Sequence, residues 1–193
     1  SASQPLLILV VGTPGSGKSF FARQFAESYR FFYIDVGRYE SELESLGSSS
    51  KEVTDVAKKL ATATFDQALK SFKHIVFEGS FNSVREREVI LNKAKKAGFG
   101  TLVIWVQTDL ETSELRAMNR DRRRADDKNS LTLSIEEFNA ATSAFEKPNP
   151  AKEISVVVSG KHDFKSQSVV VLKKIASMYV KGVQEAQSST KKP

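Results

Sequence analysis

The sequence predicts a three-layer α/β fold, in which a five-stranded parallel sheet carries helices on both faces. Two observations support this prediction. Short runs of apolar and β-branched residues recur along the 193 residues, and segments with helical periodicity separate them. The runs are apolar almost throughout, which is typical of strands buried on both faces, and the segments between them are long enough for the crossover helices of a parallel sheet.

The elements follow one another in a regular order. Strands are predicted over 6–11, 31–36, 74–79, 101–107 and 154–159. Helices are predicted over 17–29, 49–72, 83–97, 111–126, 134–146 and 165–186. In the second helix the apolar face is predicted to hold Val53, Val56, Leu60, Ala63 and Ala68. We therefore expect a single domain over residues 1–186 and a frayed tail over 187–193.

The composition limits the cellular compartment and the kinds of partner that are expected. The chain has no cysteine, so disulfides and thiolate metal sites are excluded, which fits a reducing cytoplasm. The first apolar run is short and has no basic segment before it, so we expect neither a signal peptide nor a membrane span. The net charge of +6 and the pI near 9.4 favour an anionic partner, which a phosphate-binding pocket explains as well as a nucleic acid does.

The strongest local signal is the stretch GTPGSGKS at residues 12–19, between the first predicted strand and the first helix. It satisfies the pattern G-x-x-x-x-G-K-[ST]. Glycines let successive backbone N–H groups wrap around phosphates without a Cβ in the way, and the helix N-terminus faces the anion. Lys18 can reach the β- and γ-phosphate oxygens, and the Ser19 hydroxyl can ligate Mg²⁺. The predicted nucleotide-binding residues here are Gly12, Thr13, Pro14, Gly15, Ser16, Gly17, Lys18, Ser19 and Phe20.

Four further stretches accompany this loop: YIDVGR at 33–38, VFEGSFNSVRERE at 76–88, ELRAMNRDRRR at 114–124, and FEKPNP with ISVVVSG at 145–160. With the loop, they resemble the small P-loop kinases of the polynucleotide-kinase and zeta-toxin type, a group with AAA-type ATP-binding domains. The resemblance implies a P-loop NTPase fold with an arginine-rich lid, here about 116–146, that uses ATP and Mg²⁺. The guanine-reading string N-K-x-D of GTPases is absent from the sequence, which favours ATP.

Asp35 stands at the end of the second predicted strand, where the carboxyl ends of parallel strands line the ligand crevice. There it could accept the proton of an attacking hydroxyl, with Arg38 orienting an anionic acceptor. The resemblance implies the same roles, because D-x-x-R is the acceptor-side pair of polynucleotide-kinase-like enzymes. The alternative is structural: Asp35 caps a loop and Arg38 pairs with a nearby glutamate.

The third stretch supplies an acidic residue and two polar ones. The resemblance implies that Glu78 holds the Mg²⁺ water shell, in an E-G-S context that is closer to zeta-type members than to polynucleotide kinases. It also implies that Asn82 and Arg85 touch substrate, while the alternative for Arg85 is a solvated helix arginine. His74, at the start of this strand, is interpreted as structural.

An arginine cluster marks the predicted lid, and its members are Arg116, Arg120, Arg122, Arg123 and Arg124. One helical face holds Arg116, Arg120 and Arg123, which could converge on a polyanion. The resemblance implies a clamp on the donor phosphates, made by Arg122 according to the alignment and by Arg120 or Arg123 according to helical phase. A solvated basic face is the alternative. The resemblance also implies that Gly160 and Lys161, after the last strand, lie where the adenine packs, and the alternative is a plain turn between strand and helix.

Together these signals predict a Mg²⁺-dependent kinase that moves the γ-phosphoryl group of ATP to a hydroxyl of a small metabolite, such as a sugar, a nucleoside or a sugar nucleotide. Lys18, Asp35, Arg120 and Arg122 are its predicted catalytic residues. One alternative is a polynucleotide 5′-hydroxyl kinase, which the net positive charge of the chain favours. Another is an ATP-binding switch or assembly factor without an acceptor. A pocket beside Asp35 on which Arg38, Asn82 and Arg85 converge would favour a kinase, whereas burial of these three in structural pairs would favour the switch.

Overall fold

The computed structural model describes residues 3–47, 50–121 and 131–190. Within these ranges the strands are β1 (Leu6–Val11), β2 (Phe32–Asp35), β3 (Ile75–Glu78), β4 (Gly100–Gln107) and β5 (Ser155–Ser159). They form one sheet in the order β2-β3-β1-β4-β5, and every neighbouring pair is parallel. The predicted α/β class with a five-stranded parallel sheet is confirmed.

The helices of the described ranges are α1 (Lys18–Tyr29), α2 (Val36–Ser45), α3 (Ser50–Lys70), α4 (Val84–Lys96), α5 (Leu110–Met118), α6 (Ile135–Ala144) and α7 (Phe164–Ser189). The sequence analysis missed α2, which begins directly after β2. Helix α5 ends at Met118, short of the predicted 126, although 122–126 lie outside the described residues. Helix α7 continues to Ser189, into the segment expected to be a tail.

Side chains of β1, the central strand of the sheet, point alternately to its two faces, so the core has two halves. Leu7 and Leu9 of β1 face a cluster that α3 and α4 complete, whereas Ile8 and Val10 face a cluster that α1 and α7 complete. Successive side chains of a strand point to opposite faces of the sheet, so an entirely apolar strand must be covered on both sides. No helix of the described ranges is long and apolar enough to cross a membrane.

Helix α3 packs with a face that coincides only in part with the one predicted, because Val53 and Ala68 are buried as predicted. Its fully buried positions include Ala57, Ala61 and Phe65, whereas Val56 and Leu60 are 41% and 42% exposed. Small side chains at two successive turns let the helix backbone approach the sheet closely, so these alanines take the inward face. The predicted face is therefore wrong at Val56, Leu60 and Ala63, which are exposed.

The carboxyl ends of the strands meet at one edge of the sheet and position the site. Asp35 ends β2, Glu78 ends β3, and the two are register partners. The phosphate-loop stretch follows β1, Thr108 follows β4, and Gly160 follows β5. Five separate segments therefore deliver side chains or backbone to the same crevice.

Candidate active site

The loop 12–19 is a backbone cradle whose glycines are required. Gly15 and Gly17 have φ values of +74° and +94°, in the left-handed region that glycine adopts without strain. A Cβ at Gly15 would collide with the backbone carbonyl of Ser113 in α5, and one at Gly12 would lie 2.6 Å from the carbonyl oxygen of Val106. The loop thus packs closely against both β4 and α5.

Two segments behind the loop brace it. The Thr108 hydroxyl donates a hydrogen bond to the carbonyl oxygen of Ser16 at 2.8 Å. Gly160 approaches the same carbonyl so closely that a Cβ on Gly160 would collide with it, and its amide donates to Gln107 at 2.8 Å. These contacts hold the loop backbone against the ends of β4 and β5. Sequence reasoning missed Thr108, which no local pattern marks.

A cavity of about 390 Å³ opens in front of the loop, and we call it the nucleotide-side cavity. Its lining includes eight of the predicted nucleotide-binding residues: Gly15, Gly17, Lys18, Ser19, Phe20, Arg116, Gly160 and Lys161. Arg120, Asn119 and His162 complete the lining. The structure therefore brings most of the predicted residues together. Arg122, Arg123 and Arg124 lie outside the described residues.

Two polar contacts set the walls of this cavity. Arg116 of α5 donates a hydrogen bond from Nη1 to the carbonyl oxygen of Gly160 at 3.2 Å. The Lys161 ammonium pairs with Asp109, which also accepts a hydrogen bond from the Thr112 amide at 2.9 Å and so caps α5. The Lys161 ammonium holds the pKa of the Asp109 carboxyl well below its usual range. Both contacts join α5 to the turn after β5.

Two residues of this cavity interact with Glu78: Ser19 through a hydrogen bond and Lys18 through its charge. The Glu78 carboxylate is 4% exposed, and it accepts hydrogen bonds from the Ser19 hydroxyl at 3.2 Å and from the Tyr33 hydroxyl at 3.3 Å. Burial, with Glu78 adding to it, raises the pKa of Tyr33 and keeps this phenol a hydrogen-bond donor. Burial lowers the pKa of Lys18, whereas Glu78 acts in the opposite direction.

The side chains of Lys18, Ser19 and Glu78 suit a Mg²⁺ ion bound together with a nucleoside triphosphate. Ser19 and Glu78 offer hard oxygen donors within hydrogen-bond distance of each other. No group of three or more His, Cys, Asp or Glu side chains that could hold a metal occurs in the part of the chain that the structure describes. Mg²⁺ in proteins commonly takes one or two protein oxygens and completes its shell with phosphates and water, so this pair is sufficient.

A second cavity, of about 130 Å³, adjoins the first, and we call it the acceptor-side cavity. It is lined by Pro14, Lys18, Ser19, Asp35, Val36, Gly37, Glu40, Glu78, Gly79, Ser80, Arg120, Leu131 and Leu133. The two cavities share Lys18, Ser19 and Arg120. The Asp35 carboxylate is held by the Gly37 amide, which donates to Oδ1 at 2.9 Å and caps α2. Sequence reasoning missed Glu40.

A family model described as AAA domain matches residues 7–148, which include the loop, the whole lining of the acceptor-side cavity and four of the five strands apart from the first residue of β1. The chain belongs to the AAA domain family. This match agrees with the AAA-type group predicted from the sequence, and solved structures that are kinases by name share the fold of the chain.

Three of these structures illustrate the likeness. A candidate kinase from Chloroflexus aurantiacus has 19% identity over 89% of this chain and 99% of its own, with a TM-score of 0.71. A gluconokinase from Sinorhizobium meliloti has 17% identity, coverages of 94% and 97%, and a TM-score of 0.65. Kti12 from Chaetomium thermophilum, in complex with ADP-AlF3, has 19% identity, coverages of 86% and 96%, and a TM-score of 0.61. At these identities the likeness is one of fold.

Three residues predicted to touch the acceptor do not line the acceptor-side cavity of this AAA domain. Arg38 lies on the exposed side of α2 and pairs with Glu42 at 3.1 Å. The main-chain carbonyl oxygen of Asn82 accepts a hydrogen bond from the Glu146 amide at 2.7 Å. Arg85 is exposed on α4. Asp35 therefore combines a capping role with a place in the cavity, and substrate contact by the other three stays a prediction.

The arginine that organises this region is Arg87, which sequence reasoning missed. Its side chain is fully buried and pairs with Glu153 at 2.6 Å. It also donates to the carbonyl oxygens of Phe81 at 2.8 Å and of Glu146 at 2.9 Å. Arg87 thus ties the loop between β3 and α4 to the segment that follows α6. Its partner lies 66 residues away, so no local pattern reveals it.

His74 is structural, as interpreted from the sequence. Its Nδ1 accepts a hydrogen bond from the Leu6 amide at 3.0 Å, and its ring stacks on Phe31. Desolvation lowers its pKa, which favours the neutral ring that such an acceptor nitrogen needs.

Proposed function

We propose that this protein is a Mg²⁺-dependent ATP phosphotransferase that moves the γ-phosphoryl group to a hydroxyl of a small molecule. The observation that carries this proposal is the junction of the two cavities at Lys18, Ser19 and Arg120. A donor in the first cavity and an acceptor in the second would meet at the only cations that line both among the described residues. Phosphoryl transfer needs this positioning together with charge stabilisation.

In the proposed reaction, the residues at the junction and those beside it have different roles. When bound, MgATP supplies the phosphoryl group and part of the charge neutralisation. The loop amides and Lys18 hold phosphate oxygens, and Ser19 and Glu78 hold Mg²⁺ directly or through water. Asp35, fixed by its hydrogen bond from Gly37, accepts the proton of the acceptor hydroxyl. Arg120 stabilises the negative charge that develops, together with Arg122 as the resemblance implies.

The small molecule is favoured over a polynucleotide by the acceptor-side cavity. The arginine predicted to orient an anionic acceptor, Arg38, pairs with Glu42 outside it. The gluconokinase with a similar fold is named for a small acceptor, which agrees with this choice.

Transfer of labelled γ-phosphate tests the proposal. The protein is incubated with ATP and Mg²⁺ and with sugars, nucleosides, sugar nucleotides, or DNA and RNA oligomers that carry a 5′-hydroxyl. We expect label in one class of small acceptor, and none with Lys18→Ala. Label in the oligomers alone would replace the small acceptor by a polynucleotide. ATP binding without label in any acceptor would contradict the kinase and favour the nucleotide-dependent switch.

A further inference from the structure

We infer that Glu40 selects the acceptor, and that the acceptor is a small, uncharged polyhydroxyl compound rather than one that carries a phosphate group. The inference rests on the proposed kinase function and names its substrate class. It is argued from the phase of α2, from the charges that line the acceptor-side cavity, and from the chemistry of its walls.

The phase of α2 directs Glu40 into the cavity. Val36, Gly37 and Glu40 all line it, at the spacings of three and four residues that share a helical face. Arg38 and Glu42 form an i,i+4 pair on another face, where both side chains are more than half exposed. The first two turns of this helix therefore present a carboxylate to the cavity and keep the arginine outside it.

The charges of the cavity disfavour an anionic acceptor. Three carboxylates line it, those of Asp35, Glu40 and Glu78. Among the described residues its cations are Lys18 and Arg120, and both also line the nucleotide-side cavity, where donor phosphates would engage them. A phosphate group on the acceptor would then meet the carboxylates of Asp35 and Glu40, with no further cation among the described residues that line the cavity, and like charges in a partly buried site repel strongly.

The walls suit a compound with several hydroxyls. Carboxylates accept hydrogen bonds from hydroxyls, and a charged acceptor strengthens them. Ser80 adds a hydroxyl, and Leu131 and Leu133 offer an apolar surface to C–H groups. Burial and the nearby Glu78 raise the pKa of Glu40, so hydrogen bonds from an acceptor would stabilise a carboxylate that is poorly solvated in its absence.

Matched pairs of acceptors test this inference. Each pair contains an uncharged compound and its phosphate monoester with a hydroxyl remaining: ribose and ribose 5-phosphate, glucose and glucose 6-phosphate, adenosine and its 3′-monophosphate. kcat/KM for transfer from MgATP is measured for both members. We expect the uncharged member of the pair that contains the substrate to be favoured at least tenfold.

Substitutions at Glu40 assign the discrimination to this residue. Glu40→Gln should raise the KM for the uncharged acceptor about tenfold, lower kcat less, and leave the KM for ATP within twofold. Glu40→Lys should narrow or invert the preference between the two members. Glu42→Gln, on the exposed face of the same helix, should leave all these values unchanged, and thermal unfolding of each variant verifies that it is folded.

The outcomes separate this inference from the proposed function on which it rests. Transfer that is equal for the two members, or faster for the phosphorylated one, would overturn the inference and keep the kinase. Unchanged discrimination in both Glu40 variants would overturn the role of Glu40. Transfer to no acceptor at all would overturn the proposed function, and the inference would fall with it.

Discussion

The nucleotide side and the acceptor side of the site are built in different ways. The nucleotide side rests on the backbone of one continuous stretch, 12–19, whose glycines allow close packing against Ser113 and Val106. The acceptor side rests on side chains from separate segments, including Asp35, Glu40 and Glu78. A backbone cradle depends on which residues lack a Cβ, whereas a side-chain cavity depends on helix phase and on distant anchors.

The largest expected effect concerns the distant anchor of the acceptor side. Arg87→Leu leaves Glu153 buried without its cation, which should lower the free energy of unfolding by about 3–5 kcal/mol. Urea denaturation measures the loss. Arg85→Leu, two residues earlier and exposed, is the matched control and should change stability by less than about 0.5 kcal/mol. Equal effects of the two substitutions would mean that the buried pair does not anchor this side.

A next, somewhat smaller effect should appear in the backbone cradle. Gly15→Ala places a Cβ against the carbonyl of Ser113 at a φ of +74°, so backbone strain and overpacking together should cost about 2–4 kcal/mol. ATP affinity, measured by calorimetry, should fall at least a hundredfold as the loop shifts. Gly47→Ala has a similar φ of +82° with nothing within 4 Å, and should cost only about 1 kcal/mol of strain. ATP affinity retained in the first variant would contradict the cradle.

The brace behind the loop should contribute less. Thr108→Val removes the hydrogen bond to the Ser16 carbonyl, which should cost about 1 kcal/mol and weaken ATP binding severalfold. Thr142→Val is the control, because the Thr142 hydroxyl is buried and has no hydrogen-bond partner among the described residues. That variant should be as stable as the parent or slightly more stable. The brace is refuted if both valine variants bind ATP alike.

The smallest expected effect is a pH-dependent change in thermal stability when Glu40 on the acceptor side is replaced. The pKa of Glu40 is raised in the folded protein, so ionisation of Glu40 opposes folding as pH rises from the ordinary glutamate value through the folded value. Glu40→Gln should therefore raise the Tm by roughly 1–3 °C at pH 8, and this gain should shrink as pH falls. Differential scanning calorimetry with Glu42→Gln as control tests it. A gain in Tm that grows as pH falls would contradict a raised pKa of Glu40.

The same contrast explains which parts the sequence could predict. The strands and their parallel arrangement depend on local residue types, and their prediction was confirmed. The loop 12–19 also depends on local residue types, and Gly15, Gly17, Lys18 and Ser19 of it line one cavity. The acceptor side was predicted poorly because α2 was missed: no helix was predicted between 36 and 49, and Gly37 in the first turn of α2 is unfavourable in a helix. Once the helix is present, its phase moves Arg38 outward and Glu40 inward. Arg87 and Thr108 act on partners 66 and 92 residues away, which no local pattern encodes.

The central claim is that the two sides divide the work, one binding the donor and the other activating the acceptor. Asp35→Asn tests it most directly, because asparagine caps helices as well as aspartate does and should preserve the start of α2. We predict that this variant keeps its ATP affinity within about threefold while transfer to the true acceptor falls by about a hundredfold or more. Turnover at the parent rate, or a loss of ATP affinity as large as that of Lys18→Ala, would contradict the division.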